Sequence, residues 1–229
     1  MKITHIITRL IVGGAQENTL LNVEGLARQF SDEVDLITGP PLGAEGSLLE
    51  DAEKRGIRLR VIPELRRNIN PLRDTKAYLK ILRELRDLKP DVVHTHSAKA
   101  GLLGRCAAAK RGTPVIIHTI HGSFYAYRNQ WMNRLYIAAE RYASRWTTAF
   151  ISVADAMTEQ AIQSNVGQKE QFTTIYSGME VDPFLESGQY RQSVRGVFGY
   201  DDRHVVVGKI ARLFDFKGHE FLIDAARSL

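Results

Sequence analysis

Apolar, β-branched runs that alternate with helical segments constrain this chain more than any other feature. Residues 2–8 (KITHIIT), 34–38 (VDLIT), 57–62 (IRLRVI), 91–96 (DVVHTH), 114–121 (PVIIHTIH), 149–153 (AFISV) and 172–178 (FTTIYSG) read as strands. Between them the period shifts to that of helices, over about 15–29, 45–55, 72–88, 99–110, 131–145 and onward from Asp155. In the long segment 72–88, Leu79, Leu82, Leu85 and Leu88 are expected to form the buried stripe. Strands this uniformly apolar are buried on both sides, and strict β/α alternation makes them parallel. The fold class predicted is therefore α/β, a parallel sheet over about residues 1–178 with helices on both faces.

After Gly178 the pattern breaks. Residues 179–203 are polar and irregular and read as a linker. HVVVGKIARL then reads as a new strand over 205–211, and KGHEFLIDAARSL as a new helix. One βα unit cannot bury its own faces. The 204–229 segment is thus expected outside the main sheet, as the opening of a second domain. Left alone it should be poorly packed or pair with another copy of the chain.

Composition excludes several classes. Of 229 residues, 44% are hydrophobic, ample for a core, and the net charge is +5. That charge is compatible with an anionic substrate or surface without choosing between them. The lone Cys106 rules out an internal disulfide, suits a reducing compartment, and is expected to pack on its helix. No apolar run reaches the length of a membrane span. The opening residues lack the charged-then-apolar pattern of a secretory leader, so a cytoplasmic location is expected, with association at the inner membrane face.

Ligands of open α/β sheets bind outside the carboxyl ends of the strands. Gly13, Gly14 and Gln16 follow the first strand; His96, Ser97 and Lys99 follow the fourth; His121, Gly122 and Ser123 follow the fifth; Asp155 follows the sixth. Paired glycines between a strand and a helix let a phosphate approach the free N–H groups of the helix start. A dinucleotide site would need G-x-G-x-x-G and an acidic residue closing the second strand, which ends instead in Ile37-Thr38-Gly39. No phosphate-cradling G-x-x-x-x-G-K-[ST] occurs. His94, His96, His118 and His121 could suggest a metal, but no further ligands of the usual kinds accompany them, so none is expected. His94 and His118 are read as structural. His121, at a strand end before a glycine, can turn its ring to the cleft.

Residues 124–145 combine Arg128, Arg134, Arg141 and Arg145 with Phe124, Tyr125, Tyr127, Trp131, Tyr136 and Tyr142. Such a stretch can lie on an anionic membrane, or simply cover the sheet with one solvated face.

Together, ITRLIVGGAQENTL, DVVHTHSAKAGLLGR, HTIHG, ISVADAM, TIYSGMEVDPF and VGKIARLFDFKGHEFLIDAA, in this order over almost the whole chain, resemble glycosyltransferase family 4. The resemblance implies a GT-B architecture, two Rossmann-like domains facing each other. Residues 1–178 would be the acceptor-side domain and 204–229 the start of the nucleotide-sugar domain. It implies retaining transfer of a sugar from a nucleotide-sugar to a glycan or lipid-linked acceptor, as in cell-envelope or exopolysaccharide synthesis, without an obligatory metal or other cofactor and without nucleic acid. His121 matches the family's cleft histidine and takes the catalytic position. Gly13, Gly14, Gln16, His96 and Lys99 would bind substrate, and Gly14, Arg212 and Lys217 the donor diphosphate. Two departures stand out. Ser177-Gly178-Met179-Glu180 replaces the usual N-G-[IV]-D, and the family's pair of glutamates is absent. A truncated molecule, inactive alone, is expected on that ground, and a non-catalytic acceptor- or phosphate-binding module is the alternative.

Overall fold

The computed structural model describes residues 1–122, 130–211, 213 and 217–228. It falls into two compact units, Met1–Met179 and Glu180–Leu229.

The first unit is a seven-stranded parallel sheet: β1 (Lys2–Ile7), β2 (Glu33–Thr38), β3 (Arg58–Val61), β4 (Val92–His96), β5 (Val115–Ile120), β6 (Ala149–Ser152) and β7 (Phe172–Thr174). The spatial order is β3-β2-β1-β4-β5-β6-β7, and every pairing is parallel. Six helices connect them: α1 (Gly14–Gln29), α2 (Leu49–Lys54), α3 (Pro71–Leu88), α4 (Ala98–Arg111), α5 (Gln130–Ser144) and α6 (Asp155–Gln163). This is the Rossmann-like α/β fold predicted from the alternation, with β7 shorter than 172–178.

Strand order dictates which face each helix covers. Right-handed crossovers that step outward from β1 to β3 put α1 and α2 on one face. The chain then reverses and steps from β4 to β7, which puts α3 to α6 on the other. Two cores result. Ile3, Ile7, Leu20, Val23, Val34 and Leu36 fill the α1–α2 side. Ile6, Ile37, Ile81, Leu85, Val93 and Ile116 fill the α3–α4 side.

Local chemistry sets the helix ends. Asn70 caps α3 by accepting from the Arg73 N–H at 3.0 Å, and Pro71 occupies the first turn, where no N–H is needed. Gly112, at φ 69°, closes α4 in the left-handed region. The buried stripe of α3 is Ala77, Ile81 and Leu85, with Tyr78, Leu82 and Leu88 beside it. Of the four expected leucines, Leu85 is buried and Leu82 and Leu88 pack against the core, while Leu79 is turned outward at 58% exposure. Glycine is needed in α4 because the helix lies very close to the sheet. A Cβ on Gly101 would sit 2.6 Å from the His118 ring, and one on Gly104 2.8 Å from Thr95.

The second unit, described by itself, contains α7 (Asp182–Leu185), α8 (Arg191–Val197) and α9 (His219–Ala226). Residues 205–211 do not form the expected strand. They run without regular structure, with Val205, Val207 and Ile210 exposed. A strand is stabilised by ladder bonds and by burial of both faces, and this segment has neither. Among the described residues no helix is long and apolar enough to cross a membrane.

Candidate functional site

In a parallel sheet all strands end at one rim, so Thr8, Ser97 and His121 are brought to the same edge by topology. The β1 and β4 ends are stitched together there. Thr8 and Ser97 hydroxyls lie 2.7 Å apart, the Thr8 N–H donates to Ser97 Oγ at 3.3 Å, and the Ala100 N–H donates to Thr8 Oγ1 at 3.1 Å. Ser97 has φ 63° and ψ 158°, a region nearly reserved for glycine. Holding a serine there costs about 1–3 kcal/mol, and such strain gathers at functional sites.

β1 turns into α1 through Gly13 and Gly14. Gly13 is extended, at φ 167°, so its backbone does not itself demand glycine. Its carbonyl accepts from the N–H groups of Gln16 and Glu17, both at 3.0 Å. That leaves the Gly14 and Ala15 N–H groups at the positive end of a sixteen-residue helix. Among the described residues, a Cβ on Gly14 would meet nothing within 4 Å. The packing of the described residues therefore leaves open the space beside Gly14. Gln16 curls back toward Gly13, its Oε1 2.9 Å from where a Gly13 Cβ would stand.

The histidines form one hydrogen-bonded row on the α1 face of the sheet. His5 Nδ1 lies 3.0 Å from His96 Nε2, and His96 Nδ1 lies 3.0 Å from His121 Nε2. His94, in register with His5, packs its ring 4.3 Å from that of His96 and meets the Thr119 hydroxyl at 2.7 Å. Burial disfavours the charged form of each. The His5 and His121 imidazoles are pushed down to about 4, and His94 and His96 lie well below the ordinary histidine value, with neighbouring histidines adding to the effect. The row is therefore neutral near pH 7.

His5, His94 and His96 each offer a ring nitrogen within 4.8 Å of the others, which makes them the histidine set to consider for a metal. The 3.0 Å N···N separation of His5 and His96 is that of a hydrogen bond, so those nitrogens serve each other in this arrangement.

His118 points to the opposite face. It contacts the Thr95 hydroxyl at 2.9 Å and lies 3.8 Å from Glu140, which is ion-paired with Arg105 at 2.6 Å in full burial. A cleft of about 200 Å³ runs beside α1, lined by Asn18, Asn22, His94, Thr119 and Tyr176 among others.

The sequence-predicted residues thus fare differently. His96 and His121 meet directly. His96 is only 1% exposed with both ring nitrogens engaged, so it reaches the cleft through His121 rather than by touching a ligand. Lys99 turns away from the glycine loop: its Nζ donates to Asp74 at 2.7 Å and to the Asn68 carbonyl at 2.6 Å, near the start of α3. Lys217 is exposed just before α9 in the second unit. Arg212 lies outside the described residues, as do Ser123, Phe124, Tyr125, Tyr127 and Arg128. Trp131 and Tyr142 of the α5 stretch are exposed. His5 was missed by the sequence reading. It stands mid-strand, and only the β1–β4 register brings it beside His94 and His96.

Comparison with known sequences shows the family, and comparison with solved structures shows the fold. The profile of the glycosyl transferase 4-like domain matches residues 13–178. The chain is 27% identical over 228 residues to the UDP-Gal:alpha-D-GlcNAc-diphosphoundecaprenol alpha-1,3-galactosyltransferase of Escherichia coli, covering 99% of this chain and 57% of that one. It is 24% identical over 168 residues to the capsular polysaccharide biosynthesis glycosyltransferase CapM of Staphylococcus aureus, covering 71% and 43%. In fold it is similar to Anabaena HepE solved with UDP and glucose, with a TM-score of 0.74 at 20% identity over 100% of this chain and 58% of that one. The chain thus spans between 43% and 58% of the length of these relatives.

Proposed function

Because the chain belongs to the glycosyl transferase 4-like family, we propose that this glycosyltransferase handles a sugar linked to a nucleoside diphosphate and passes it, with retention of configuration, to a lipid-linked or glycan acceptor. The observation that carries the reading is the rim itself. A helix start at Gly14 that no described residue obstructs, and a neutral, anchored His121, stand at the carboxyl ends of the same sheet. The helix start suits a diphosphate, since N–H groups and the helix dipole favour negative charge. His121 suits the transferred sugar, as a neutral group able to hydrogen-bond hydroxyl oxygens.

Uridine is the base of choice. The galactosyltransferase relative uses UDP-Gal, and the Anabaena structure holds UDP. In this reading the sugar nucleotide is a substrate, no resident metal or cofactor takes part, and residues 204–229 contribute to the donor side. There Lys217, with Arg212, is assigned to the departing diphosphate. Losing one such charge-assisted contact in the transition state costs on the order of 2–4 kcal/mol. Lys217→Ala should therefore slow transfer strongly, and unchanged kinetics would remove Lys217 from the mechanism.

Calorimetry of the chain with UDP, UMP and uridine tests the donor assignment. UDP should bind, and uridine should not. Equal binding of all three would contradict a site built around the diphosphate. The anomeric configuration of the product decides between retention and inversion. The acceptor side is read as lipid-linked because the exposed face of α5 carries Trp131, Leu135 and Tyr142 beside Arg134, with Arg145 just past its end. Co-sedimentation with anionic vesicles, lost in Trp131→Ser, checks that contact; equal sedimentation of the variant would discard it.

A further inference from the structure

The two contacts of His96 constrain each other. A neutral imidazole has one N–H and one bare nitrogen. If His96 accepts from His5 it must donate to His121, and if it donates to His5 it must accept from His121. The row therefore runs head to tail and has only two states. Both contacts are 3.0 Å between nitrogens with ring centroids 5.3 Å apart, so the rings meet edge to edge, as in-line bonds require.

The buried end selects between the two states. His5 Nε2 is fully buried and, among the described residues, has no hydrogen-bond partner. In the inward state this atom carries a hydrogen, which leaves a buried N–H with nothing to donate to. In the outward state it is a bare lone pair. Orphaned buried N–H groups are rarer in native proteins than under-used acceptors. The outward state runs from His5 Nδ1–H to His96 Nε2, and from His96 Nδ1–H to His121 Nε2. His121 is left with its hydrogen on Nδ1, the nitrogen not committed to the row. The strained Ser97, tied to Thr8, fixes the end of β4 next to His96 and so holds the middle of the row in place.

We propose that His5 and His96 are positioning residues that set the tautomer of His121, so that it presents an Nδ1–H donor to an oxygen of the bound sugar or phosphate. This rests on the donor reading above for what meets His121, while the tautomer itself does not depend on it. His121 then acts by donating a hydrogen bond to oxygen, and its ring takes up no proton from the substrate.

Long-range proton–nitrogen correlation spectra of the histidine-labelled chain, without ligand, report the tautomer of each ring. His96 and His121 are both expected as Nδ1–H tautomers. An Nε2–H tautomer at His121 in the unmodified protein would overturn the proposal without any variant. His5→Leu removes the end donor and should let the Nε2–H form appear at His121. His5→Asn keeps an N–H near the Nδ1 position and should restore the original pattern. A His121 tautomer unmoved by His5→Leu would show that His5 does not set it. Absence of UDP binding would remove the donor reading while leaving these spectra unaffected, so the two failures are distinguishable.

Discussion

The two faces of the sheet each bury a polar network around histidine, and the networks are built on opposite terms. On the α3–α6 face, Arg105 and Glu140 form an ion pair with both side chains essentially inaccessible, and His118 lies alongside. Arg105 also donates to the Gly101 carbonyl at 2.8 Å, so the pair joins α4 to α5 and is closed to solvent. On the α1 face, four neutral rings touch one another, and the row ends in His121 at the rim. One network carries full charges and goes nowhere. The other carries none and connects the interior to the cleft. Charge that is buried and paired fixes structure, whereas a neutral row can pass orientation to a ligand-facing group without the cost of desolvating a charge.

The largest effect should come from breaking the charged network. Glu140→Ala leaves Arg105 buried and unpaired and should cost about 3–5 kcal/mol in urea unfolding. Replacing both partners, as in Arg105→Met with Glu140→Leu, should restore most of it. A small loss in the single variant would mean that the two networks are not different in kind.

The neutral network should reveal itself through acid. His5 and His121 sit at about 4 in the folded chain, below the ordinary histidine value near 6.5, so the unfolded state binds more protons between those limits. Stability is intact above pH 6.5 and falls as pH drops from there toward 4. Each such ring contributes up to about 1.4 kcal/mol per pH unit. His94 and His96 share the pocket and add in the same direction. Unfolding measured across this window should show a shallower slope in His5→Asn. An unchanged slope would place the protons elsewhere.

The smallest effect separates folding from binding at Gly14. Gly14→Ala adds a methyl into open space at the first turn of α1 and should leave stability unchanged or raise it by about 0.4–1 kcal/mol. The same methyl narrows the approach to the helix start, so UDP affinity should fall. Stability and affinity falling together would mean that Gly14 is needed for packing.

The sheet and its helices were legible because parallel strands are written in runs of β-branched residues, and the glycine turn and His121 were legible because strand ends are. The limits were set by partners distant in sequence. His5 looked like an ordinary strand residue until β1 paired with β4. Lys99 stood in a phosphate-friendly position, yet Asp74, 25 residues before it, holds its ammonium. Arg105 sits among alanines and glycines in the 99–110 helix, and its partner Glu140 lies 35 residues further on. The 205–211 segment had the composition of a strand, but composition supplies no neighbour to pair with.

The central claim is that the rim holding Gly14 and His121 receives the diphosphate-linked sugar. Titration of UDP into the nitrogen-labelled chain, followed by amide and histidine-ring resonances, tests it most directly. The Gly14 and Ala15 amides and the His121 ring should shift together and saturate at one UDP concentration. Saturating shifts confined to other parts of the chain, with Gly14, Ala15 and His121 unmoved, would contradict the account.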